Sequence, residues 1–282
     1  MKALFFGTGG VPHSTPKRSS VAGIRRIREL GLGCMELAFV RRVAMGEKTA
    51  LEVRRVAEEN DVRLSVHAPY YVNLNSPEAD KVRASRQRIL QAARIGWLCG
   101  ARSVVFHPAF YHDNPPQVVY ERVRGHLMEL VDALRAEGNG ITLRPETTGK
   151  VSQFGTLEEL LRLGKEIEGV SPCVDFAHIH ARTGGVNSYE EFTALLEGVE
   201  QELGRAALQD MHIHVSGIKY GPGGEKEHLD LADADLRYVE LLQALSDYEV
   251  GGLVICESPS LEEDALLMQN TYRRLAEPEE GE

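Results

Sequence analysis

The feature that most constrains this chain is an alternation repeated eight times: a short apolar run rich in β-branched residues, then a longer segment with helical spacing. The runs lie at residues 3–6, 34–39, 63–67, 103–107, 141–146, 171–175, 211–215 and 252–257. Each is short enough to be a parallel strand buried on both faces. Between them, Val21, Ile24, Ile27 and Leu30, and later Leu157, Leu160, Leu161 and Leu163, mark apolar helical faces, while the remaining positions are mostly charged. Gly31, Gly100, Gly138 and Gly204 stand where helices should stop, because glycine enters the left-handed conformation at low cost. Strands alternating with helices build a parallel sheet, and eight such units predict one closed (β/α)8 TIM barrel over residues 1–275, followed by an acidic tail at 276–282. The 282 residues would by length alone allow two domains, yet no Pro/Ser-rich linker or shift in composition divides them. An open doubly wound sheet is the alternative, but no Gly-x-Gly-x-x-Gly leads from the first run into a helix, and GTGG at 7–10 is too generic to replace it.

Composition narrows the class further. Lysine and arginine number 32 against 42 aspartates and glutamates, a formal charge of −10, so a globally basic nucleic-acid binder is excluded. No apolar run reaches the roughly 18 residues of a membrane span, and the first ten residues lack the apolar core of a signal peptide, so a soluble cytoplasmic monomer is expected. Cys34, Cys99, Cys173 and Cys256 are scattered without a Cys-x-x-Cys pair, which argues for buried thiols rather than disulfides or a thiolate zinc site.

A buried strand should close on apolar or turn residues. Instead, six of the eight runs close on a side chain able to bind metal: His67, His107, Glu146, Asp175, His214 and Glu257. In a closed barrel the C-terminal strand ends converge on one rim, so these six would meet. His178, just past Asp175, and His228, in the loop after His214, raise the set to eight, more than a single four-coordinate ion can use. Two or three ions follow, and imidazole with carboxylate suits zinc, manganese or iron. His212 has the parity of His214 but lies one step deeper, as a packing or supporting residue; His180 and His13 are expected mainly as surface residues.

Closely spaced divalent ions lower the pKa of water and neutralise charge on a leaving oxygen, which favours phosphodiester hydrolysis. Lys17, Arg18, Arg41, Arg42, Lys150, Arg182 and Lys219 all fall in loops on the same rim, where phosphate contacts are expected. Tyr70 and Tyr71, directly after His67, are candidates to stack on a base or wedge into a duplex.

At these residues the chain resembles the endonuclease IV family of apurinic/apyrimidinic endonucleases, especially its archaeal-type branch. The motifs are HAPYYVN at His67, FHP ending in His107–Pro108, PETTGK around Glu146, DFAHIH from Asp175, HVSG from His214 and CESP around Glu257. The resemblance implies a trinuclear centre, usually of zinc, that cleaves the phosphodiester 5′ to abasic sites in double-stranded DNA. It implies that His67, His107 and Glu146 hold one ion, that Glu146, Asp175, His214 and Glu257 hold a second, and that His178 and His228 hold a third. Glu146 would bridge, and catalysis would depend on Glu146 and Glu257. Where the family's third ion takes an Asp two positions before the last histidine, this chain has Lys226, leaving Glu225 or Glu227 as the substitute. FVRRVAMGE from Phe39 also differs from the bacterial pattern of the DNA-penetrating loop, and Tyr71 stands where an aliphatic wedge is usual. The rival readings are a sugar isomerase or epimerase of the xylose-isomerase-like barrels, using fewer metals, and a non-catalytic binder of abasic DNA.

Overall fold

A computed structural model of the chain describes residues 3–276. Eight parallel strands, Leu4–Gly9, Cys34–Ala38, Arg63–His67, Ser103–Phe106, Thr142–Pro145, Cys173–Asp175, Met211–Val215 and Gly252–Cys256, form the barrel in chain order, the first pairing with both the second and the eighth. The fifth and sixth meet only through the bridges Leu143–Val170 and Glu146–Cys173, which bring the sheet nearly to closure. The expected (β/α)8 barrel is therefore the observed fold. Ala276 ends the last helix, Glu262–Ala276; the remainder of the acidic tail expected at 276–282 lies outside the described residues.

Helices cover the barrel because their apolar stripes are sequence-encoded. Ile24 and Ile27 of the helix Ser20–Glu29 are fully buried, as are Leu160 and Leu163 of Leu157–Glu166. Each such side chain contributes about 1.5–3 kcal/mol through burial. The second of these helices begins with a capping box, in which Thr156 accepts from the Glu159 amide and Glu159 reaches back to Thr156. Gly31, Gly100, Gly138 and Gly204 all adopt positive φ at helix ends, as their positions predict.

Two details differ from the sequence reading. The first strand, expected at 3–6, continues through GTGG to Gly9, because a Cβ on Gly7 would lie 1.7 Å from the Cys34 carbonyl oxygen and only glycine lets the neighbouring strand approach. The second, fourth, fifth and eighth strands stop one residue early, so His107, Glu146 and Glu257 stand just past their strands, Glu146 keeping its single bridge to Cys173. Beyond the rim, Gly217–Gly221 and Gly224–Leu229 form an antiparallel hairpin after the seventh strand. Among the described residues no helix is long and apolar enough to cross a membrane.

Candidate metal centre

The strand register sets the site. Asp175 pairs with His214 across the sixth and seventh strands, and His67 ends the third, so side chains far apart in sequence share one layer of the rim. Glu146, 1% exposed, sits at the centre. Its Oε2 lies 3.2 Å from His67 Nε2 and 3.1 Å from His107 Nε2, while Oε1 lies 3.2 Å from His214 Nδ1. Glu257 Oε2 stands 3.5 Å from the same His214 nitrogen.

Three groups of potential ligand atoms result: His67, His107 and Glu146; Glu146, Asp175, His214 and Glu257; and His178, Glu225 and His228. Two donors on a tetrahedral zinc with bonds near 2.0–2.1 Å stand about 3.3 Å apart, the separation these pairs already show. Asp175 Oδ2 is buried without a hydrogen-bond partner, and His178 Nε2 faces His228 Nε2 at 3.3 Å, two lone pairs converging when each Nδ1 carries its ring's proton. The residues fit divalent metal ions. Cys173, His212 and His214 also cluster, but burial raises the Cys173 thiol far above its ordinary range, so it remains a thiol and a poor ligand.

Outer contacts aim the histidines. His67 Nδ1 donates to the Ala68 carbonyl at 2.8 Å, His178 Nδ1 to the Thr147 carbonyl at 3.0 Å and His228 Nδ1 to the Glu257 carbonyl at 3.2 Å, so each Nε2 faces the cluster. Glu36 is absent from the sequence-derived set because it lies in mid-strand rather than at a strand end. It is 1% exposed, accepts from Ser65 Oγ at 2.8 Å, and lies 3.0 Å from His212 Nε2 and 3.1 Å from His214 Nε2. A carboxylate behind a histidine fixes its ring and raises its basicity toward a metal. His212 is buried one step deeper than His214, as its strand parity predicts, and contacts Ser103 and Glu36. The one available sequence signal is an acidic residue inside an otherwise apolar strand, CMELA.

Electrostatics follow from crowding carboxylates and imidazoles out of water. Burial opposes the charged form of His67, but the Glu146 hydrogen bond and charge overcome it and raise the group to about 9. Burial likewise opposes charge on His178, and Asp175 and Glu146 overcome it, to about 10. Glu257 bears the same desolvation penalty yet is held down at about 2 by His214, whereas burial dominates at Asp175 and lifts it to about 6.

The third group depends on a glycine contact. The Glu225 amide donates to the Gly149 carbonyl at 2.9 Å, which seats the hairpin on the loop after the fifth strand. A Cβ on Gly149 would lie 2.6 Å from Glu225 Cβ and 3.1 Å from His178 Cδ2, and a Cβ on Gly224 would lie 2.1 Å from the Gly149 oxygen. With the backbones this close, Glu225 Oε2 reaches 3.7 Å from His178 Nε2 and Oε1 reaches 4.0 Å from His228 Nε2. Of the two candidate substitutes, Glu225 turns toward the histidines. Glu227 turns outward to pair with Lys219 at 2.8 Å, and Lys226 is exposed.

The rim is less uniformly cationic than the sequence suggests. Arg182 Nη1 donates to Thr148 Oγ1 and to the carbonyls of Thr148, Lys150 and Gln153, so it braces a loop instead of standing free for phosphate. Lys219 is neutralised by Glu227, Lys150 is half-buried, and Lys17, Arg18, Arg41 and Arg42 are exposed. Tyr70 and Tyr71 are 64% and 62% exposed, but only Tyr70 lines the cavity over the cluster, with its ring 6.2 Å from that of His67. Arg88 lies over the Tyr71 ring at 5.9 Å. His180, expected mainly as a surface residue, is buried, donating from Nδ1 to the Gly185 carbonyl and pairing through Nε2 with Asp235; burial is possible because both nitrogens have partners. His13 is exposed and contacts the Pro259 carbonyl.

Residues 24–277 match the family model described as xylose isomerase-like TIM barrel. The chain belongs to that family. An uncharacterised protein of Methanocaldococcus jannaschii is 44% identical to this xylose isomerase-like chain over 96% of it and 98% of its own length. An apurinic-apyrimidinic endonuclease of Caenorhabditis elegans is 25% identical over 74% of this chain and 54% of its own. Among solved structures, endonuclease IV from Thermus thermophilus superposes with a TM-score of 0.73 at 19% identity, covering 98% of both chains. A D-tagatose 3-epimerase-like protein superposes nearly as well, with a TM-score of 0.72 at 19% identity, covering 98% of this chain and 97% of its own. Fold similarity within the xylose isomerase-like barrels therefore does not choose between nuclease and epimerase.

Proposed function

We propose that the protein is a metal-dependent endonuclease that hydrolyses the phosphodiester 5′ to abasic sites in double-stranded DNA. The observation that carries this reading is the third donor group, His178, Glu225 and His228, beside two groups that already share Glu146. A sugar epimerase would need no such third group. Zinc, or manganese or iron at one position, would supply activated water and charge neutralisation on the departing 3′ oxygen. Glu146 offers one carboxylate oxygen to each of two groups, which fixes their spacing. Glu257 and His214 stand opposed across the second group, and Tyr70 lines the edge of the cavity, where it would stack on a base next to the lesion. Exposed Arg41 and Arg42 lie after the second strand, where they can contact backbone phosphates.

A second reading has its own support. Glu146, Asp175, His214 and Glu257 form a four-donor set sufficient for one ion, and Arg182 and Lys219 are already engaged. That favours a small uncharged substrate such as a sugar. The test is to incubate metal-loaded protein with duplex DNA carrying one abasic analogue, and in parallel with ketohexoses, scoring strand incision, sugar turnover and metal content. Incision with three ions bound is expected, reduced at least 100-fold by Glu257→Gln with little change in thermal stability. Sugar turnover with one or two ions would establish the epimerase, and tight lesion binding without cleavage would establish a binder.

A further inference from the structure

A cavity of about 530 Å³ opens at the opposite, N-terminal mouth of the barrel. Side chains from the strand starts usually plug that end of this fold. Here three of the strand starts that line the mouth, Ser103, Thr142 and Gly252, are small, and the larger Arg63 and Met211 that start two others leave the space between them open. The volume falls in the range of about 300–1,000 Å³ typical of small-molecule sites.

The lining is cationic in a chain whose net charge is −10. Arg63, Arg102 and Arg144 face the cavity, and Asp210 is the one acidic residue among the described lining residues. Asp210 pairs with Arg144 at 3.2 Å and exposed Asp61 pairs more loosely with Arg63 at 3.7 Å, so Arg102 is the one lining guanidinium without an acidic partner among the described residues. Arg102 is exposed with no ion pair among the described residues, and Arg63, held 3.9 Å over the Phe5 ring, has only a solvent-screened partner in Asp61, which a buried anion can displace. Arg144 is 5% exposed, and its Nε has no acceptor although the same guanidinium donates to Pro172 and Asp210. Trp97, a large aromatic left 41% exposed, forms another wall. Forked guanidiniums match phosphate and carboxylate oxygens, and a flat indole suits a flat ring.

We propose that this mouth is a second binding site, for an organic anion of nucleoside-monophosphate size, with its anionic group on Arg63 and Arg102 and its ring against Trp97. The site is separate from the metal rim and shares no side chain with the cavity there. The probes are adenosine 5′-monophosphate, adenosine and inorganic phosphate, titrated calorimetrically into metal-loaded protein, wild type and the variants Arg102→Gln, Trp97→Ala and His107→Ala. The nucleotide should bind saturably and at least tenfold more tightly than either fragment. Arg102→Gln and Trp97→Ala should each weaken it about tenfold or more without altering metal content or incision of abasic DNA, while His107→Ala should leave it unchanged. Absence of saturable binding, binding indifferent to Arg102→Gln and Trp97→Ala, or binding lost in His107→Ala would each overturn the proposal.

Discussion

At the residue scale Glu146 sets the protonation of its neighbours. Its charge holds protons on His67 and, with Asp175, on His178, raising them to about 9 and 10 from an ordinary 6.5. A metal needs the neutral imidazole, so loading must expel those protons. In the metal-free protein a histidine whose folded pKa is raised adds stability that is complete below the unfolded value near 6.5 and disappears as pH climbs through 9 to 10. The melting temperature of chelator-treated protein should therefore fall from pH 7 to pH 10, while zinc affinity rises over the same interval. Differential scanning fluorimetry and a competitive zinc indicator measure the two, and a flat response in both would contradict the assignment. Glu36 acts one layer further back, behind His214. Glu36→Gln keeps the shape but removes the charge, and should weaken metal binding about 10- to 100-fold, the usual effect of losing such a partner; unchanged affinity would make Glu36 a packing residue.

At the element scale the hairpin Gly217–Gly221/Gly224–Leu229 delivers Glu225 only because Gly149 and Gly224 let two backbones touch. Gly149→Ala should lower zinc content by one ion per chain and shift the melting temperature by only a few degrees, since the barrel does not depend on that loop. Retention of all metal in Gly149→Ala would show that the hairpin is not what positions Glu225. The same element marks where sequence reading stops. His67, His107, Glu146, Asp175, His214 and Glu257 are legible because a polar residue ending an apolar strand is conspicuous and barrel topology gathers strand ends. The choice between Glu225 and Glu227 is not legible, because strand alternation in the hairpin puts both on one face. A register shift between Lys219 and Tyr220 and the close Gly149 contact decide which one turns inward. Glu36 leaves only a faint trace, one acid inside the apolar run CMELA, without the strand-end position that marks the others, and Arg182 misleads because its bonds go to carbonyls that sequence cannot place.

At the scale of the whole molecule, a chain of net charge −10 is an unpromising partner for DNA until the charge is located. Glu36, Glu146, Asp175, Glu225 and Glu257 all crowd the centre, and ions bound there would turn this acidic part of the barrel into one that tolerates phosphate. The number of ions is thus the quantity on which the functional reading rests. The direct measurement is metal content per chain by mass spectrometry after zinc loading and desalting, on wild type and Glu225→Ala. Three ions in the wild type and two in Glu225→Ala, with incision of abasic DNA falling at least 100-fold in the variant, is the predicted result. One or two ions in the wild type, unchanged in Glu225→Ala, would contradict a trinuclear centre and the nuclease built on it.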